Sequence, residues 1–156
     1  MAADALGFDT ESKPTFLKGE VSTGPHLIQL ATDVHVYLFP ITRLLDTNRI
    51  KTILESPHVK KIGFGLGNDL GALKSRLGIS IANVLDLGEV LRGPAHRGTV
   101  GAKFAITQFF GQRFLKSKKT GTSNWANPRL TERQIMYAAN DAYAALQIYR
   151  AWVSKR

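Results

Sequence analysis

The sequence contains no cysteine, which excludes disulfide bonds, thiolate metal ligands and a cysteine nucleophile. It also lacks long apolar runs, since none approaches the ~18 residues of a membrane span, and no charged leader precedes an apolar stretch at its start. We therefore expect a cytoplasmic protein. With 156 residues, of which 44% are hydrophobic, the chain is long enough for one domain with one core.

Acidic residues are also scarce, with 12 Asp and Glu against 21 Lys and Arg, for a formal net charge of +9. Between Val90 and Thr131 there is no acid at all. The basic residues of this segment are Arg92, Arg97, Lys103, Arg113, Lys116, Lys118, Lys119 and Arg129. Such a segment favours a polyanionic partner, because Lys and Arg that neutralise phosphates release condensed counterions. Alternatively, the excess charge serves only solubility.

Hydrophobic patterning predicts a mixed α/β fold. Three short apolar runs, at 5–10, 26–32 and 35–39, indicate an antiparallel meander. Strands and helices then alternate, which favours parallel pairing. The predicted strands are 60–64 and 82–87, and the predicted helices are 42–55, a helix capped by Asn68 that runs to Leu77, 100–110 and 131–153.

Two acids at the end of the first strand are the first candidates for a site. In the stretch "FDTE", Asp9 and Glu11 are two positions apart, so both side chains project from the same face of the strand. Adjacent carboxylates repel each other and resist desolvation, and they need a cation or solvent between them. An exposed strand end would carry the same pattern, so the pair alone leaves both interpretations open.

Two later segments carry further candidates. Asp69 begins a helix after the glycine-rich "GFGLG", where an acid also suits the helix dipole. In "MYAANDAYAAL", Tyr137 and Asp141 lie one helical turn apart on one face, among alanines that permit close approach to a sheet. A Tyr-Asp hydrogen bond at a helix edge is the structural alternative.

In order and spacing, these residues resemble the DEDD superfamily of 3′-5′ exonucleases, in the subclass with a tyrosine in the third motif. The three motifs read "FDTE", "GLGNDLGAL" and "YAAND". The stretch "SNWANPRLTERQIMYAANDAYAALQIY" is similar to the end of ribonuclease D and Werner-syndrome-type exonuclease domains, and "HLIQLAT" and "VYLFPI" resemble strands of that family. The resemblance extends from Leu6 nearly to the C-terminus.

The resemblance implies a ribonuclease H-like fold, with three antiparallel strands followed by parallel ones and helices on both faces. It implies a metal-dependent 3′-5′ exonuclease that hydrolyses phosphodiester bonds of DNA or RNA and releases nucleoside 5′-monophosphates, using two Mg²⁺ or Mn²⁺ ions. Asp9, Glu11 and Asp141 would hold the ion that activates water, with Asp9 bridging to the second ion. Asp69 would support that second ion, and Tyr137 would position the attacking water.

Nucleic acid is the expected partner, entering at a single-stranded or frayed 3′ end. Basic side chains that could hold its backbone are Arg113, Lys116, Lys118 and Lys119, and Asn68 is a further candidate contact. Phe16, Phe64 or Trp125 could stack on the terminal base. For Trp125, a role as an apolar anchor before the last helix is the alternative.

Two other functions stay open at this point: a nucleic-acid-binding module of the same fold that no longer cleaves, and a scaffold without a nucleic-acid role. The family usually has a strand and a helix before its first motif, whereas only "MAADA" precedes Leu6. Either the domain is trimmed, or its start was placed late, or the sheet has lost an edge element. We expect a single domain over 1–156 without these elements, in which an exposed edge or apolar patch favours self-association. The motifs do not separate DNA from RNA, although "SNWANPRLTERQ" and "NDAYAALQIYR" favour the Werner type and hence DNA.

Overall fold

A computed structural model describes residues 3–156, and five strands form one sheet in the order β3-β2-β1-β4-β5. The strands are β1 (Ala5–Glu11), β2 (Leu27–Ala31), β3 (Val36–Pro40), β4 (Lys60–Gly63) and β5 (Val84–Asp86). The first three pair antiparallel, and β1 pairs with β4, and β4 with β5, in parallel. The predicted mixed sheet is confirmed.

Within residues 3–156, a short 3₁₀ helix (Ile41–Arg43) and six α-helices accompany the sheet: α1 (Asn48–Glu55), α2 (Gly67–Leu77), α3 (Leu87–Val90), α4 (Ala102–Phe110), α5 (Lys118–Gly121) and α6 (Glu132–Ser154). Helix α6 begins where predicted, because two reciprocal hydrogen bonds cap it. The Thr131 side chain accepts one from the Gln134 backbone, and the Gln134 side chain accepts one from the Thr131 backbone. No helix in the described range 3–156 is both long and apolar enough to cross a membrane.

Two helix predictions were wrong in detail. The helix predicted over 42–55 begins only at Asn48, because the Asp46 carboxylate accepts a hydrogen bond from the Asn48 backbone and holds a local turn before it. Asn68 does not cap α2, since the helix already begins at Gly67. The backbone before that helix is held instead by Asp86, whose carboxylate accepts hydrogen bonds from the amides of residues 65 and 66.

Helix α6 lies unusually close to the central strand β1. A Cβ added to Gly7 would stand 1.9 Å from the carbonyl oxygen of Ala142, so only glycine fits at this contact. On the helix side, Ala138, Ala142 and Ala145 are buried and keep the interface thin. The small residues therefore set the distance between the strand and the helix that carry the candidate acids.

Strand β1 divides its side chains between two cores. Leu6 and Phe8 pack with residues of α1 and α2, whereas Ala5 packs with residues of α4 and α6. Because side chains alternate along a strand, Asp9 and Glu11 share the face of Ala5 and Gly7, towards α6. Thr10 lies on the opposite face, towards α2.

The edges of the described sheet are β3 and β5, because β1 has a neighbour on each side. The sequence led us to expect self-association through an exposed edge or apolar patch. Self-association itself stays a prediction.

Near its end, α6 is tied to the sheet by ion pairs. Arg150 lies 2.8 Å from an oxygen of Asp4, just before β1, and 2.9 Å from an oxygen of Asp33, in the turn between β2 and β3. The hydrogen bond from Arg150 lowers the pKa of Asp4 to about 2. This pair therefore stabilises the fold above the ordinary pKa of Asp4, and its contribution is lost as the pH falls towards about 2.

We expect Asp4→Asn to lower the melting temperature modestly at pH 7 and low salt, because it removes the charge that Arg150 binds. The difference from the wild type should shrink as the pH falls from about 4 to about 2, and as salt screens the exposed pair. Thermal melting over this pH range measures it, with Glu89→Gln as a neutralised acid outside the pair. A difference that stays constant with pH would contradict this role.

Candidate active site

Three carboxylates meet between β1 and α6. One oxygen each of Asp9, Glu11 and Asp141 lies within 4.8 Å of the others. Alternation along β1 turns the first two towards α6, and the thin glycine-alanine interface brings Asp141 to them. Two of the three motifs identified in the sequence therefore meet in space, at the carboxyl end of the central strand.

Burial raises the pKa values of all three acids. The pKa of Asp9 lies well above its ordinary value, first through desolvation and then through the charges of Glu11 and Asp141. Desolvation, followed by the charge of Asp141, raises the pKa of Glu11 to about 8. Burial also raises the pKa of Asp141, against the opposing charge of Lys116. Ionised together at neutral pH, the three acids require a positive charge among them.

Asp69 lies beside this cluster rather than within it. It belongs to the first turn of α2, on the opposite face of β1, and the Thr10 hydroxyl donates a hydrogen bond to Asp69 Oδ1. Its negative charge contributes to the raised pKa of Asp9, which places the fourth acid within electrostatic range. Thr10, the residue between the two β1 acids, therefore links the second motif to the first.

Tyr137 is held by aromatic and backbone contacts. Its ring centroid is 5.9 Å from that of Trp125, and a Cβ added to Gly121 would stand 2.5 Å from the phenol oxygen. Burial, followed by the charge of Asp141, raises the pKa of Tyr137 to about 12. The phenol therefore stays protonated at neutral pH and can donate a hydrogen bond next to the carboxylates.

Gln29 is a site residue that the sequence interpretation missed. It is fully buried on β2, opposite Asp9 in the sheet, and its amide nitrogen lies 3.4 Å from Glu11 Oε1 and 3.3 Å from the carbonyl oxygen of Ala138. The Gln29 side-chain amide therefore connects Glu11, in the first motif, to helix α6. A glutamine inside the apolar run "HLIQLAT" was the available signal, because buried polar side chains need partners.

The candidate basic residues differ in how deeply they are buried. Lys116 contacts Asp141, with 3.1 Å between Nζ and Oδ1, whereas Lys118 and Lys119 are exposed on α5. Arg113 lines a groove of about 530 Å³ together with Lys103 and Lys116. A neighbouring cavity of about 460 Å³ is lined by Tyr137, Asn140, Arg133, Met136 and Leu115. The 113–117 segment borders both.

The remaining candidates differ in exposure. Phe16 is 79% exposed, and Asn68 is exposed in the first turn of α2. Phe64 packs against the core beneath α4 and α6. Trp125 is 2% exposed and packs with Leu27 and Ala138, so its ring has no face open to a base. The buried position of Trp125 agrees with the alternative role given in the sequence analysis, an apolar anchor before the last helix. The Trp125 ring also supports Tyr137.

The donor set suits a hard divalent cation. Carboxylate oxygens are preferred ligands of Mg²⁺ and Mn²⁺. Opposite ligands of an octahedral Mg²⁺ are about 4.2 Å apart, close to the 4.8 Å within which the three oxygens lie. The raised pKa values of Asp9, Glu11 and Asp141 also indicate that these acids need a positive charge nearby when they are ionised.

A mixed five-stranded sheet with helices on both faces, and with a carboxylate cluster beside the end of its central strand, defines a ribonuclease H-like fold. The family model described as 3′-5′ exonuclease matches residues 1–154. The chain belongs to this 3′-5′ exonuclease family.

Similar proteins agree with this assignment. The chain is 31% identical over 149 residues to the bifunctional 3′-5′ exonuclease/ATP-dependent helicase WRN of Mus musculus, covering 94% of this chain and 11% of that protein. It is 26% identical over 152 residues to a 3′-5′ exonuclease of Arabidopsis thaliana, covering 93% and 51%. The chain therefore spans between about a tenth and a half of these two relatives.

Solved structures share the fold. RNase D of Escherichia coli superposes with a TM-score of 0.81 at 24% identity, covering 97% of this chain and 39% of that one. The complex of Trypanosoma brucei RNase D with RNA U12 gives a TM-score of 0.82 at 20% identity, covering 96% and 55%. At these identities the likeness establishes the fold.

We expect Gln29→Met to weaken Mn²⁺ binding about 10-fold or more, because Glu11 loses the amide that orients it. Stability should change little, since the substitution keeps the volume and also removes Gln29 Oε1, a buried acceptor without a hydrogen-bond partner in the described chain. Mn²⁺ titration and thermal melting separate the two effects. The exposed Gln108→Met is the control, and unchanged Mn²⁺ affinity in Gln29→Met would refute the positioning role.

Proposed function

We propose that this chain is a metal-dependent exonuclease domain that hydrolyses phosphodiester bonds from the 3′ end of DNA or RNA and releases nucleoside 5′-monophosphates. The observation that carries the proposal is the meeting of Asp9, Glu11 and Asp141 within 4.8 Å. A binding module would gain nothing from three partly buried carboxylates, which repel the phosphates of its partner unless a cation neutralises them.

The four acids would together hold two divalent ions. Asp9, Glu11 and Asp141 would hold one Mg²⁺ or Mn²⁺, and Asp9 would be shared with a second that Asp69 supports. When bound, such ions activate a water and stabilise the leaving oxygen. Around them, Gln29 orients Glu11 and the Thr10 hydroxyl orients Asp69.

Tyr137 would orient the attacking water. With its pKa raised to about 12, the phenol stays protonated at neutral pH and acts as a donor rather than a base. The contacts with Trp125 and Gly121 hold the hydroxyl in one place, which fixes the direction of its hydrogen bond.

The two cavities beside the 113–117 segment would receive the 3′-terminal nucleotides. Leu115 is 79% exposed and Met136 is 61% exposed, so apolar surface is available there for a base. Lys103 and Arg113, which line the neighbouring groove, offer positive charge for the backbone. The exposed Lys118 and Lys119 would add long-range attraction for the polyanion.

A cleavage assay tests the proposal. DNA and RNA of the same sequence, single-stranded and duplex and labelled at the 5′ end, are incubated with Mg²⁺, Mn²⁺ or a chelator. We expect a ladder that shortens from the 3′ end with either ion, and none with the chelator or in Asp141→Asn. Retained binding without a ladder would favour the inactive module. The relative rates on DNA and RNA would decide the substrate, for which the sequence favours DNA.

Two substitutions test the role of Tyr137 by different routes. Tyr137→Phe removes the hydroxyl, and we expect kcat to fall about 100-fold or more. Gly121→Ala keeps the hydroxyl but displaces it, because the new Cβ would stand 2.5 Å from the phenol oxygen, and a loss of about 100-fold is expected.

Mn²⁺ affinity should survive in both variants, which a titration checks alongside the rate. Tyr143→Phe, on an exposed part of the same helix, is the matched control for loss of a phenol. Wild-type turnover in Tyr137→Phe would rule out the proposed orientation of the water.

A further inference from the structure

Lys116 differs from the other basic residues of its segment because it reaches the carboxylate cluster. Its Nζ lies 3.1 Å from Asp141 Oδ1, and the Asp141 side chain is only 5% exposed. The same ammonium lies 5.3 Å from the centroid of the Tyr137 ring. Within residues 3–156, no other Lys or Arg forms an ion pair with Asp9, Glu11 or Asp141.

The contact puts two cations in competition for one oxygen. A divalent ion bound through Asp141 Oδ1 would lie about 2.1 Å from it, inside the 3.1 Å at which the ammonium is found. Two cations at these distances repel strongly in a partly buried site. Binding of the ion through this oxygen therefore requires the ammonium to move away.

We propose that Lys116 competes with the divalent ion for Asp141, and that binding of the ion releases its ammonium to a phosphate of the nucleic acid. The proposal rests on the metal site of the proposed function. Lys116 lines the groove shared with Lys103 and Arg113, so an alternative anionic partner would lie within reach of its flexible four-carbon stem.

The exchange couples the two binding events. A phosphate that holds the ammonium leaves Asp141 free for the ion, and an ion on Asp141 frees the ammonium for the phosphate. By linkage, each ligand raises the affinity for the other by the same factor. The domain would therefore bind the ion firmly only when the substrate is in the groove.

Lys116→Met tests the exchange, because it removes the competing charge while keeping the apolar stem. In Mn²⁺ titrations without nucleic acid, followed by electron paramagnetic resonance, we expect the variant to bind Mn²⁺ at least about fivefold more tightly than the wild type. Its KM for an oligonucleotide should rise, so the two affinities move in opposite directions. A positioning residue with a purely structural role would weaken both.

Lys118→Met is the matched control. Lys118 is exposed, lies two residues after Lys116, and forms no ion pair with a carboxylate in the described part of the chain. Its Mn²⁺ affinity without nucleic acid should equal that of the wild type. If melting curves show that Lys116→Met is unfolded, Lys116→Gln replaces it, with the same expectation for Mn²⁺.

The outcomes distinguish this proposal from the one on which it rests. Unchanged or weaker Mn²⁺ binding in the Lys116 variant overturns the exchange alone. An equal gain in Lys118→Met also overturns it, because general electrostatics would then suffice. Absence of Mn²⁺ binding to the wild-type protein overturns the metal site and the exchange together.

Discussion

The close contact between helix α6 and strand β1 is the constraint on which the site depends. At Gly7 the strand has no side chain, and the carbonyl oxygen of Ala142 occupies the space that a Cβ would need. Asp141, the residue directly before Ala142 in the helix, lies beside Asp9 and Glu11. Desolvation and repulsion oppose this meeting, and the apolar packing of Leu6 and Phe8 on the other face of β1 offsets their cost.

Charge is arranged in two zones. The acids of the site are gathered in a partly buried cluster, whereas most basic residues of the 90–131 segment lie at the surface. Within residues 3–156, Lys116 is the one basic residue of this segment that forms an ion pair with the cluster. In the proposed function, the exposed positive charges would attract a polyanion, and the cluster would repel it until cations neutralise the acids. Attraction of the polyanion and dependence on the cations would then come from different residues.

Features that depend on local periodicity could be predicted from the sequence. The shared direction of Asp9 and Glu11 follows from the period of a strand, and the start of α6 follows from its capping residues. The mixed sheet followed from alternating patterns, helped by the resemblance of the whole motif set to one family. Asp141 could be assigned to the site through that resemblance, because spacing alone left a helix-edge hydrogen bond open.

Features that depend on distant partners could not be predicted in this way. Gln29 donates to Ala138, which is 109 positions away, and Gly121 matters only because Tyr137 rests against it. The start of α2 was misplaced for the same reason, since Asp86 holds the backbone before it from a neighbouring strand. Propensities describe a residue and its neighbours in sequence, whereas these contacts are set by tertiary packing.

The opposite directions of Thr10 and its two acidic neighbours have a consequence for how this domain can vary. Thr10 faces Asp69, and Asp9 and Glu11 face Asp141. A single residue inserted or deleted between Gly7 and Asp9 would exchange the two faces, turning the carboxylates towards α2 and the hydroxyl towards α6. The number of residues in β1 is therefore a stricter requirement than the identity of most of them.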